Sequence, residues 1–217
     1  MANRKPTKRR AKRMPLTKKQ AQATRNLVKK EIKKAVEWKH FLMAPFSGNV
    51  TDTGVVKNIL SGLANGTSDN TRLGDQITVG KFQIKYQLTN IAAGADSVSC
   101  RLMIIQMNSG DQPTIAQLWD AATSNNVVAF YNTDTQGVNY NYRVLYDKTH
   151  TIVKDFTGQT KDTGVVKLKI RPPKRKLTFQ EGSNVVIGNN VWAIWASDQA
   201  TNQPTIQMDA KVYFADA

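Results

Sequence analysis

The chain has 217 residues, 31 Lys and Arg against 16 Asp and Glu, a net charge of +15 and a hydrophobic fraction of 40%. That apolar content excludes a wholly disordered chain, and no apolar run approaches the ~18 residues of a membrane-spanning helix. Cys100 is the one cysteine, which excludes an intrachain disulfide and fits a reducing compartment. The charge sits at one end. Fifteen of the basic residues and two of the acids, Glu31 and Glu37, precede His40, which leaves +13 there and +2 on the rest. A short cationic segment on a nearly neutral body is the pattern of a protein that holds a polyanion by its tail.

Residues 1–16 carry seven basic side chains (Arg4, Lys5, Lys8, Arg9, Arg10, Lys12, Arg13), two prolines and no acid. Such a stretch cannot bury enough apolar surface to offset its ordering entropy, so it is expected to be a disordered arm. The cluster KPTKRRAKR also has the composition of a nuclear localisation signal, against which stands a plain solvated tail; in the first case a nuclear import receptor is an expected partner. It is followed by more charge and no apolar h-region, unlike a secretory signal. Two Asn-x-Thr triplets, at Asn49 and Asn65, are therefore read as chance.

Residues 17–39 read as a basic amphipathic helix. Thr17 and Gln20 have capping-box spacing. Leu27, Val28, Ile32, Ala35 and Val36 recur at three- and four-residue steps, while Lys29, Lys30, Lys33 and Lys34 occupy the rest of the circumference. The narrow stripe fits a small helix–helix contact. A surface helix packed on its own domain competes with that reading, and a membrane-surface helix fits least, because Trp38 is the first aromatic. Lys18, Lys19 and Arg25 complete the set of expected phosphate contacts.

From His40 to the C-terminus the chain reads as β. Residues 81–88 alternate strictly, with Phe82, Ile84, Tyr86 and Leu88 opposite Lys81, Gln83, Lys85 and Gln87. Residues 98–107 are apolar enough for a strand buried on two sides. Residues 142–153, 165–179, 191–197 and 206–214 are further strands, separated by turn-rich joints such as SGNVTDTG. Pro113 and Thr114 start a short helix whose apolar face is Ile115, Leu118 and Trp119. The expectation is all-β: a single antiparallel eight-stranded jelly roll over residues 40–217 with one short internal helix.

No nucleophile elbow, phosphate-binding loop, dinucleotide fingerprint or zinc-protease motif occurs, and the two histidines lie 110 positions apart. A second basic cluster combines Lys167, Lys169 and Arg171 on one strand face with Lys174, Arg175 and Lys176 beyond the Pro172-Pro173 break. It reads either as a solvated face or as a patch that continues the arm's work on phosphates. No aromatics are interleaved with it, so a base-stacking platform is not expected. Recognition would be electrostatic and sequence-blind.

Five segments in order carry a resemblance: VKKEIKKAVEWKHFLM, RLGDQITVGKFQIKYQL with its Arg72-x-Gly74-Asp75-Gln76 turn, SCRLMIIQMNSGDQPTIAQLWD, YRVLYDKTHTIV and KVYFADA. Together they resemble the satellite tobacco necrosis virus coat protein family and the capsid proteins of circular Rep-encoding single-stranded DNA viruses, over roughly residues 25–217. The resemblance implies a non-enzymatic capsid protein of the virion that forms a 60-copy T=1 shell with its arms inside. It implies arm helices bundled through Leu27, Val28, Ile32 and Val36 with their lysines on the genome. It also implies a calcium ion between subunits, at Glu37 and Asp216; no other cofactor is expected. Thr67 and Ser68 replace the acids of the family's threefold calcium site. Sixty arms of +13 would balance on the order of 800 phosphates, which suits a single-stranded genome of roughly 1–2 kb. DNA is favoured over RNA by the nuclear-signal-like cluster and the SGDQPT turn; a cell-surface receptor is a further expected partner and a membrane is not. The rival classes are a cellular, sequence-nonspecific nucleic-acid-binding β-domain with a basic tail, and an enzyme or lectin on the same scaffold.

Overall fold

A computed structural model describes residues 17–35, 37–89, 97–120, 126–131, 142–153 and 163–216, without the side chains of 29, 30 and 32–35. The chain divides into two units, Met1–Glu37 and Trp38–Ala217. In the first, helix α1 spans Lys18–Ala35. Its start is fixed by a reciprocal cap: the Gln20 N–H donates to Thr17 Oγ1 (3.3 Å) and the Thr17 N–H donates to Gln20 Oε1 (3.0 Å). The helix stops short of the expected Lys39. Lys39 instead opens the first strand, opposite Phe214, where its buried ammonium pairs with the part-buried Asp216 carboxylate at 2.9 Å.

The second unit contains eleven strands among the described residues: β1 (Lys39–Leu42), β2 (Phe46–Asn49), β3 (Val55–Asn58), β4 (Gln76–Thr89), β5 (Ser97–Met107), β6 (Tyr142–Val153), β7 (Val166–Ile170), β8 (Lys176–Phe179), β9 (Val186–Gly188), β10 (Val191–Ser197) and β11 (Thr205–Asp216). One short helix, α2 (Ile115–Leu118), follows β5. A seven-stranded sheet runs β1-β11-β4-β8-β9, with β2 also on β11 and β7 also on β4; a four-stranded sheet runs β3-β10-β5-β6. All of these pairings are antiparallel.

The eight-strand jelly roll is recovered from these pieces. β1 and β2 lie along one side of β11 in succession, parted at Pro45, which has no N–H for the ladder. β7 and β8 lie likewise along β4, parted by Pro172-Pro173. Each pair is one broken strand, and β9 is a three-residue addition at the edge. The expected single strand over 165–179 is thus two, and the first residues of the SGNVTDTG joint belong to β2.

The main core lies between the sheets. Phe82, Ile84, Tyr86 and Leu88 of β4 and Ile206, Met208, Ala210, Val212 and Phe214 of β11 face Cys100, Leu102 and Ile104 of β5 and Ala193 and Trp195 of β10. Each large apolar side chain buried this way contributes about 1.5–3 kcal/mol. A second cluster covers the other face of β5 and β10: Met103, Ile105, Trp192 and Ile194 meet Leu118, Trp119 and Ala129. The four-stranded sheet is therefore apolar on both faces of its centre, which is why 98–107 lacks alternation. α2 is held over it by a capping box between Thr114 and Gln117.

Arg101 locks this second layer. Its guanidinium makes a bidentate pair with Asp147 (Nε to Oδ1 2.9 Å, Nη2 to Oδ2 2.7 Å) and donates to the Ala129 carbonyl at 2.6 Å. The Tyr131 hydroxyl donates to the same carboxylate. Burial pushes the Asp147 carboxyl up, but hydrogen bonds from Arg101 and Tyr131 outweigh it and hold it below its usual value.

Candidate nucleic-acid interface

Of the expected contacts in the first unit, Lys18, Lys19 and Arg25 are exposed on α1. Leu27 and Val28 are 65% and 48% exposed, large for apolar side chains. Residues 4–13, Val36, and the side chains of Lys29, Lys30, Ile32, Lys33 and Lys34 lie outside the described residues.

In the second unit, the face of the seven-stranded sheet turned away from the core is basic. Strand alternation sets it: on β4 the side chains of Lys81, Gln83, Lys85 and Gln87 leave the core while their neighbours enter it. Register brings further cations alongside. Lys85 lies between Lys167 of β7 and Asp209 of β11; Gln83 lies between Lys169 and Lys211; Lys81 lies beside Tyr213. Five lysines thus meet one acid across three strands. Lys167 and Lys169 of the expected second cluster belong to this face, and Arg171 follows them at the end of β7.

The rest of that cluster separates. Lys174 turns to the other sheet, where its ammonium donates to Asn108 Oδ1 at 2.5 Å and its main chain is clamped by Gln106. Arg175 stays with β4, its carbonyl accepting from the Val79 N–H at 2.8 Å. Lys176 is exposed on β8. Lys81, Lys85 and Lys211 were not among the residues expected to bind. The alternation Lys81-Gln83-Lys85-Gln87 was the available signal, but only register shows that β7 and β11 set lysines beside it.

No aromatic is interleaved with these cations in sequence, but the fold brings two beside them. Trp38 and Tyr213, 175 positions apart in sequence, join Lys81, Arg171 and Arg175 around an open cleft of about 360 Å³. Lys81 Nζ stands 4.1 Å from the Tyr213 ring centroid, and Lys211 Nζ stands 5.4 Å from it. The Tyr213 hydroxyl donates to Gln83 Oε1 at 3.0 Å.

Asp216 fits poorly as a calcium ligand. Its Oδ2 lies 2.9 Å from Lys39 Nζ and its Oδ1 accepts from the Leu73 N–H at 2.8 Å, so a cation there would displace an ammonium already in place. Glu37 belongs to the other unit. Among the described residues no three His, Cys, Asp or Glu side chains cluster as a metal site. Arg72, from the Arg-x-Gly-Asp turn, is fully buried and structural: it donates to the carbonyls of Gly74 and Ser183, pairs with Asp75 at 3.2 Å and stacks 4.1 Å over Phe179.

The family model described as satellite tobacco necrosis virus coat protein matches residues 7–217. The capsid protein of Satellite tobacco necrosis virus 1 is 30% identical over 172 residues, covering 77% of this chain and 80% of that one. Two solved structures are more distant. One of Desmodium yellow mottle tymovirus is 9% identical, covers 83% of this chain and 88% of its own, and has a TM-score of 0.39. The decameric BFDV capsid protein is 11% identical, covers 83% and 98%, and has a TM-score of 0.33. The protein is a viral capsid protein, with a structural role in the virion. Within that class it belongs to the satellite tobacco necrosis virus coat protein family.

Proposed function

We propose that the chain closes into a T=1 shell of sixty copies and packages a single-stranded genome by electrostatic condensation. The N-terminal arm, α1 and the basic face of the seven-stranded sheet would face the genome together. The observation that carries this reading is the sheet face: Lys81, Lys85, Lys167, Lys169 and Lys211 against the single acid Asp209, in a domain that is otherwise near neutral. Such a face repels copies of itself and needs polyanion to be stable in a closed shell. Contacts to phosphate make binding salt-sensitive and indifferent to sequence. Bundling of α1 through Leu27, Val28, Ile32 and Val36 would cover apolar side chains, two of which stand exposed in the single chain. The cluster KPTKRRAKR would serve nuclear import where assembly is nuclear.

The test is expression of the chain alone, with particle mass and contents measured. Sixty copies of a 24.2 kDa chain weigh about 1.5 MDa before cargo. Closed uniform particles protecting nucleic acid are expected, and deleting residues 2–16 should leave shells that lose cargo. A monodisperse monomer at low and physiological salt overturns the proposal. Digestion of the contents with DNase and RNase separates DNA, the expectation from sequence, from RNA.

A further inference from the structure

We infer that the cleft between Trp38, Gly80, Lys81, Arg171, Arg175 and Tyr213 is a nucleotide subsite, in which one base of a single strand stacks on Trp38 and its phosphate is held by the surrounding cations. The inference deepens the packaging reading above and rests on it. Three features built into the backbone make the cleft. The first is the break in register between Tyr213 and Phe214, where β11 pairs with Lys81 and then Val79, leaving Gly80 as the extra residue. The second is the lack of a side chain there: a Cβ on Gly80 would come within 2.5 Å of Trp38 Cζ3 and 2.9 Å of Cη2. The indole therefore seats directly on the bulge, while Trp38 stays 50% exposed. The third is the Arg171–Arg175 turn, which returns beside β4 with Pro172 buried and the Arg175 carbonyl bonded to the Val79 N–H.

The lining selects a ligand class. Among the described residues three cations and no acid line the cleft, so an anion is favoured. Lys81 is pre-positioned by the Tyr213 ring, which leaves Trp38 as the aromatic free to take a planar partner. A half-exposed ring beside three cations suits a base joined to its phosphate. The volume of about 360 Å³ falls within the ~300–1,000 Å³ of small-ligand pockets. Among the described residues its polar lining is Lys81, Arg171, Arg175 and Tyr213, with no Asn, Gln, Asp or Glu. The basic sheet face supplies phosphate contacts on the same side, so a strand lying across it would place one nucleotide in each cleft.

The test uses the full chain and a heptanucleotide carrying one 5-iodouracil, in ribose and deoxyribose forms. Irradiation should join the base to the peptide containing Trp38. Trp38→Leu should abolish that product and lower affinity roughly 5- to 100-fold for the heptamer but not for its abasic counterpart. Trp38→Phe should retain most of both signals. Gly80→Val, which evicts the indole from its seat, should behave like Trp38→Leu. Products confined to residues 4–34 would overturn the subsite and leave the packaging reading standing. Absence of binding by either form of the heptamer would overturn both.

Discussion

Neutralising the basic sheet face gives the sharpest check on the proposal that this face binds nucleic acid. The perturbation is Lys85→Gln, Lys167→Gln, Lys169→Gln and Lys211→Gln together. These side chains leave the core on one side of β4, β7 and β11, and none is buried, so folding should survive. For a single strand, log K falls with log salt at about −0.7 per phosphate neutralised. Removing four contacts should make the slope shallower by about 2.8. Referred to 1 M salt, affinity at 0.1 M should fall about 600-fold. Fluorescence anisotropy with a labelled 40-nucleotide strand between 50 and 400 mM salt measures both quantities. Arg143→Gln with Lys148→Gln, on the edge strand of the four-stranded sheet, is the control and should leave the slope where it was. A slope change below about one unit in the fourfold variant, or an equal change in the control, refutes the assignment of this face to the genome.

Four further outcomes follow from the packing. Arg101→Met should cost about 3–5 kcal/mol, because Asp147 is left part-buried without its cation; adding Asp147→Asn should restore part of the loss in a urea-unfolding double-mutant cycle. Gly110→Ala should lower the melting temperature by about 2–10 °C, since a Cβ there would stand 1.8 Å from the Val186 carbonyl oxygen. Acid should destabilise the domain in two stages. The His150 imidazole, 2.7 Å from the Tyr86 hydroxyl, is held below its usual value by burial and then by Lys148. The folded state therefore resists its protonation, and stability complete above pH ~6.5 falls as pH drops below that value. Asp147, also depressed, adds stability present above its ordinary range near pH 4 and lost below it. Denaturant midpoints against pH should show both steps, with His150→Gln removing the first alone. Burial pushes the Cys100 thiol up to about 12, so a thiol reagent should react at the rate of unfolding; rapid reaction in native buffer would contradict the packing of β5.

The sheet class was legible because its code is local. Alternation in 81–88 and 206–214, the apolar run in 98–107 and the Pro-Thr start of α2 each need only a few neighbouring residues to be read. Breaks that depend on partners were less legible. β2 and β9 are short and lack alternating apolar side chains, so only their ladders to β11 and β8 reveal them. The end of α1 was missed for the same reason: Lys39 suits a basic helix in sequence, and its part-buried pairing with Asp216 is a contact across 177 positions. The interface shows the same division. Lys167, Lys169 and Arg171 were visible as a cluster, whereas the union of Trp38 with Tyr213, Lys81 and Arg171 is created by β-sheet register and by one glycine bulge.

The position of the charge follows from how the two sheets are covered. The four-stranded sheet spends the outer side of β5 and β10 on a second apolar layer beneath α2 and residues 126–131, where Arg101 is admitted only with Asp147 as partner. Unpaired lysines in that layer would bear the desolvation penalty of an isolated ion. The seven-stranded sheet has one buried face, and its other face carries exposed or part-exposed lysines. It is thus the sheet that can carry a polyanion-binding field, and the arm leads into its first strand. Val128 and Phe130, 68% and 84% exposed, flank Ala129 of the second apolar cluster. The domain thus carries a basic field on one face of one sheet before any second copy is added.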